Sequence, residues 1–87
     1  MTYEVIYERT AIKTLKKFQP KLRQRIHNKL QQIGADPYAK HNEVTKLQGT
    51  EGYRLRVGDW RVFYILEDKQ LKLIALDVKP RGQAYKH

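Results

Sequence analysis

The stretch Tyr53-Arg54-Leu55-Arg56-Val57-Gly58-Asp59-Trp60-Arg61-Val62-Phe63-Tyr64 decides how this chain folds. Up to Val57, apolar and basic residues alternate, which is the period of a strand with one face buried and one wet. Gly58-Asp59 is a tight turn signal. Trp60 to Leu66 then runs largely apolar, as a central strand with both faces covered does, with Arg61 interrupting it. The spacing predicts two antiparallel strands joined by a short turn. Tyr53, Leu55 and Val57 share one face of the first strand, and Arg54 and Arg56 share the other.

The flanking segments supply what covers the apolar face. Glu67-Asp68-Lys69-Gln70 turns the chain and Leu71 to Val78 forms a last strand. Upstream, Gly49 to Gly52 is a turn, Lys46 to Gln48 adds a short strand, and residues 36–45, with Pro37 and Asn42, read as a loop. Met1 to Tyr7 alternates as a strand. From Thr10, the residues Ala11, Ile12, Leu15 and Phe18 recur at helical spacing while Lys13, Lys16 and Lys17 lie off that stripe. Pro20 suits the first turn of a second helix, whose apolar face is Leu22, Ile26, Leu30 and Ile33. Gly34 is expected as its C-cap, and Arg23, Arg25 and Lys29 face water. The predicted fold is α+β, in the order β-α-α-β-β-β with room for one more strand. It is an antiparallel twisted sheet with a helical hairpin on one face, in a single domain of residues 1–87.

Composition narrows the function. Eighteen Lys and Arg against nine Asp and Glu give a net charge of +9 over 87 residues, the balance of an anion binder. With no cysteine, disulfide frameworks, thiolate zinc sites and thiol nucleophiles are excluded. No apolar run approaches the ~20 residues of a membrane-spanning helix. The N-terminus shows no signal-peptide pattern, so a cytoplasmic location and no membrane contact are expected.

The strand arginines admit two readings. They are ordinary outward residues of an antiparallel sheet, some paired with Asp59 or Glu67, or they converge with Arg61 on an open concave face. Arginine favours the second, because its planar five-donor fork fits phosphate better than the point charge of lysine. The tail from Val78 to His87 carries Lys79, Arg81, Tyr85 and Lys86. A frayed, solvated terminus is its plain reading, yet an arginine for phosphate and a tyrosine for stacking on a base are the parts of a single-stranded RNA site. His27, His41 and His87 are isolated, and Glu4, Glu8, Glu43 and Glu51 are scattered. Neither metal-ligand spacing nor a glycine-rich phosphate loop occurs, so no metal and no cofactor are expected.

Leu47-Gln48-Gly49, the stretch from Tyr53 to Tyr64, and Pro80-Arg81-Gly82-Gln83-Ala84-Tyr85 together resemble the RelE/ParE superfamily of bacterial toxins, on the RelE side, over almost the whole chain. The resemblance implies a toxin of a toxin–antitoxin pair that cuts mRNA in the ribosomal A site without a metal. It also implies neutralisation by a cognate antitoxin, and contact with DNA only through that antitoxin. Carried over, the catalytic set is Arg54, Arg56, Arg61, Arg81 and Tyr85, with Lys46, Lys79 and Lys86 binding RNA and the basic helices touching 16S rRNA. Several relatives have a histidine immediately before the C-terminal arginine. Here the position is Pro80, and arginine remains protonated, so the acceptor of the 2′-OH proton is left unassigned. The rival is a ParE-like role, inhibiting DNA gyrase with no RNA chemistry.

Overall fold

The computed structural model describes residues 2–81, and its architecture follows from how three apolar stripes meet. Its elements run β1 (Glu4–Tyr7), α1 (Arg9–Leu15), α2 (Pro20–Ala35), β2 (Val44–Lys46), β3 (Tyr53–Val57), β4 (Trp60–Glu67) and β5 (Lys72–Pro80). The strands form one five-stranded sheet in the order β1-β5-β4-β3-β2. Ala11 of α1 and Ile26, Leu30 and Ile33 of α2 bury against Leu55, Val57, Val62, Tyr64, Leu73, Ala75 and Val78 of the sheet. Both helices therefore cover one face, as the apolar stripes require. Where the chain passes between the helices, Phe18 packs on Trp60 with ring centroids 4.4 Å apart, tying the helical hairpin to the end of the β3–β4 hairpin.

Four features depart from the sequence expectation. The sheet is mixed: β1 runs parallel to β5, from Glu4 opposite Lys72 to Tyr7 opposite Ala75, whereas an antiparallel sheet was expected. Two helices separate β1 from the other strands, so no tight turn dictates its direction. The short strand β2 lies at Val44–Lys46, two residues earlier than the expected Lys46–Gln48, and pairs antiparallel with Tyr53–Leu55. Gly34 is not a C-cap but a buried residue within α2, which continues to Ala35. Finally, β5 carries a bulge: Phe63 faces Asp77 while the adjacent Tyr64 faces Ala75, leaving Leu76 as the extra residue.

The hairpin turn is as expected. Val57 pairs with Trp60 across Gly58-Asp59, and Gly58 has φ 58°, a left-handed conformation that glycine adopts at no steric cost.

Candidate nucleic-acid interface

Register places the basic residues on the sheet face opposite the helices. Leu55 and Val57 are 1% exposed on the helix side, so their strand neighbours Arg54 and Arg56 project from the open side. On that face, Arg54, Phe63 and Asp77 form one row across β3, β4 and β5. Arg56, Arg61 and Lys79 form the next row. Adjacent strands are ~4.8 Å apart, so the two rows make one continuous patch. Arg56 and Lys79 are exposed, and Arg54 and Arg61 are half-buried. Arg61 is also engaged in an interaction of its own.

The bulge decides which residues of β5 join this patch. Leu73 and Ala75 point to the core, and without an irregularity Asp77 would follow them inward while Val78 pointed out. The extra residue reverses the alternation, so Val78 is buried and Asp77 and Lys79 emerge beside the arginines. Past Lys79, the backbone N–H of Arg81 donates to the carbonyl of Asp59 at 2.6 Å. That bond extends the β4–β5 ladder by one step and holds the base of Arg81 next to the β3–β4 turn.

Of the residues expected from sequence to act together, Arg54, Arg56, Arg61 and Lys79 share the open face, and Arg81 stands at its edge. Tyr85 and Lys86 lie outside the described residues. Lys46 does not join them. It pairs with Tyr53, a helix-side residue, and its Nζ sits over the Tyr53 ring at 5.0 Å from the centroid. The reason is parity: in the register of β2 it is Thr45 that faces Arg54. Sequence reasoning overlooked Phe63 and Asp77. The change from odd-numbered core positions at Leu73 and Ala75 to Val78 was the available signal, because only a bulge reconciles it with one buried face.

His27 and His41 are engaged away from this face. The Tyr7 hydroxyl and His27 Nδ1 share a 2.6 Å hydrogen bond, with Gln31 at 3.1 Å from the second ring nitrogen. Burial pushes the Tyr7 hydroxyl up to about 12. His41 Nε2 lies 2.9 Å from the Asp36 carbonyl oxygen and braces the loop before β2. Among the described residues, no three His, Asp or Glu side chains gather as a metal-holding set. Among the described residues, three clefts of about 300 Å³ each lie away from this patch, one between α2 and residues 40–43 and two along the helices.

The family described as ParE toxin of type II toxin-antitoxin system, parDE, has a model that matches residues 5–85. The chain belongs to this family of toxins. Archaeal RelE, solved as the RelE–RelB complex from Pyrococcus horikoshii OT3, is 31% identical over 95% of this chain and 99% of its own, with a TM-score of 0.80. The isolated RelE toxin of E. coli is 22% identical, covering 95% of this chain and 90% of its own, at a TM-score of 0.76. A YoeB/ParE toxin from Agrobacterium tumefaciens is 11% identical, covering 90% and 98%, at 0.75. No curated protein sequence matches. The chain is thus a RelE-like toxin of the RelE/ParE superfamily. Since toxins named RelE and ParE share this fold, the fold by itself does not separate nuclease from gyrase inhibitor. Among the described residues, no helix is long and apolar enough to cross a membrane.

Proposed function

We propose that this toxin is an endoribonuclease that cuts mRNA in the ribosomal A site and so stops translation. The observation that carries the reading is the pair of adjacent rows on the open sheet face, where Arg54, Arg56, Arg61 and Lys79 meet with Arg81 at their edge. Such a patch binds the RNA backbone and stabilises the charge that builds on a phosphate as the neighbouring 2′-OH attacks it. Arg61 and Arg81 hold the scissile phosphate, Arg54, Arg56 and Lys79 neutralise its neighbours, and Tyr85 stacks on a base. The cations of the reaction are side chains, so cleavage proceeds in the presence of a chelator and leaves a 2′,3′-cyclic phosphate.

Exposed Lys13, Lys16, Lys17, Lys21, Arg23 and Arg25 line the helical side and suit contacts with 16S rRNA phosphates. The partner that silences the toxin is a RelB-type antitoxin. An acidic, partly disordered chain that orders on binding would cover the basic face. Gyrase inhibition is the second reading, favoured by the ParE description of the matching family.

Primer extension on a defined mRNA, with and without translating ribosomes, tests the choice, with native toxin set against Arg81→Ala. Cuts that need translation and vanish in the variant are expected. No cuts with native toxin, together with inhibited supercoiling by purified gyrase, would establish the second reading instead.

A further inference from the structure

We infer that Asp77 takes the proton from the attacking 2′-OH, an inference that rests on the RNA-cleavage reading above. Two rows of the open face contain Arg54, Phe63, Asp77, Arg56, Arg61 and Lys79. Arginine donates hydrogen bonds and remains protonated, Lys79 is the ion-pair partner of Asp77, and phenylalanine has no proton to exchange. Asp77 is the one carboxylate in these rows. Asp59, whose carbonyl accepts from the Arg81 N–H, lies in the exposed turn between β3 and β4, and Glu67 and Glu4 stand with Lys72 in a row at the opposite end of the strands, about 13 Å along β4 from Phe63 at ~3.3 Å per residue.

The backbone is shaped to bring Asp77 there. The bulge at Leu76 turns it from the core to the arginine face, and bulges beside active sites commonly re-aim a side chain in this way. The carboxylate is then fixed: Oδ1 accepts the Val78 backbone N–H at 2.8 Å, and Oδ2 lies 3.9 Å from Lys79 Nζ. The Asp77 side chain is 28% exposed and that of Lys79 58%. Both remain accessible to a strand of RNA. A fixed base thus stands beside a cation that can meet the phosphate, in the row next to Arg61.

In the step this assigns, the Asp77 carboxylate accepts the 2′-OH proton as the 2′-oxygen bonds to phosphorus. The bond from phosphorus to the 5′-oxygen breaks, and that oxygen takes a proton from water. The products are a 2′,3′-cyclic phosphate and a 5′-hydroxyl, and Asp77 returns its proton to solvent.

The test is single-turnover cleavage of mRNA on programmed ribosomes by native toxin, Asp77→Asn, Asp77→Glu, Lys79→Met and the Asp77→Asn/Lys79→Met double variant. Affinity is read in parallel with mRNA carrying a 2′-deoxy nucleotide at the cleaved position. Asp77→Asn should cut about 100-fold more slowly or worse, the usual contribution of a general base, while binding as tightly as native or tighter, since a negative charge has left a cationic patch. Asp77→Glu, which keeps a carboxylate, should cut faster than Asp77→Asn, and this comparison stands even if the asparagine variant melts early. Native speed in Asp77→Asn, equal loss in both Asp77 variants, or parallel loss of binding and rate would each overturn the assignment. So would a double variant no slower than Lys79→Met alone, because Asp77 would then act only by holding Lys79. Absence of cleavage by native toxin is a separate result: it removes the RNA-cleavage reading itself and this inference with it.

Discussion

The Tyr3 backbone N–H donates to the Gly34 carbonyl across 2.7 Å, and a Cβ built on Gly34 would stand 2.8 Å from the Tyr3 carbonyl oxygen. The contact joins the start of the sheet to the last turn of α2, and it requires the hydrogen atom that only glycine has at that position. Alanine would gain about 1 kcal/mol as a helix former. The close neighbour, however, is backbone and cannot rotate away, so the overpacking cost of about 1–3 kcal/mol decides the sign. Gly34→Ala should lower the thermal midpoint by several degrees. A rise would mean that β1 slides freely along α2.

Tyr64 is 1% exposed and stacked on Tyr53 at 5.2 Å, yet its hydroxyl has no hydrogen-bond partner among the described residues. Burial pushes that hydroxyl well above its ordinary ionisation range. An unpaired buried hydroxyl costs about 1–3 kcal/mol, so Tyr64→Phe should stabilise the fold by about 1 kcal/mol in denaturant titration. Cleavage should be untouched, because Tyr64 points away from the arginine face.

The carboxylate of Asp68 is clamped by two phenols, accepting from Tyr38 at 2.7 Å and from Tyr3 at 2.7 Å. These bonds, the one from Tyr38 first, hold Asp68 below the usual carboxylate range, against a smaller upward push from burial. A depressed folded value means that the contribution is whole above the ordinary carboxylate value of about 3.9 and is lost as pH falls through the folded value. Melting temperature should therefore drop as pH is taken from about 5 towards 2, and less steeply in Tyr3→Phe/Tyr38→Phe. The same bonds raise both phenols. Their contribution is whole below pH ~10 and fades above it. An unchanged acid limb in the double variant would show that the clamp carries no stability.

Arg61→Ala and Arg81→Ala remove side chains from the open face or its edge and leave the buried set intact. Each should slow cleavage by about 100- to 1,000-fold, the scale of a lost oxyanion donor, and abolish growth inhibition, with far-UV circular dichroism and melting close to native. Variants that unfold would make these arginines structural.

Chelation offers a further check. With 5′ ends mapped after treatment with EDTA, cuts on ribosome-free controls should remain absent. Cuts on ribosomes assembled beforehand should persist for as long as the ribosomes stay intact, because the proposed reaction draws its positive charge from Arg54, Arg56, Arg61, Lys79 and Arg81.

The alternation from Tyr53 to Val57, the Gly58-Asp59 turn and the apolar stripes of α1 and α2 are local periodicities, and a chain with those periods has one way to bury its apolar face. The β3–β4 hairpin, the helices on one side and the arginines on the other were therefore legible from residue order, as was the net charge of +9. Periodicity records which face a residue occupies but not which strand lies beside it or in which direction. The parallel pairing of β1 with β5, the position of β2 that turns Lys46 away from the arginines, and the close approach that requires Gly34 each depend on residues distant in sequence, and only the tertiary structure decided them. The bulge at Leu76 is the sharpest case. Displacing the register by one residue reverses every side chain beyond it, and that reversal buries Val78 and turns Asp77 and Lys79 to the face where the arginines stand.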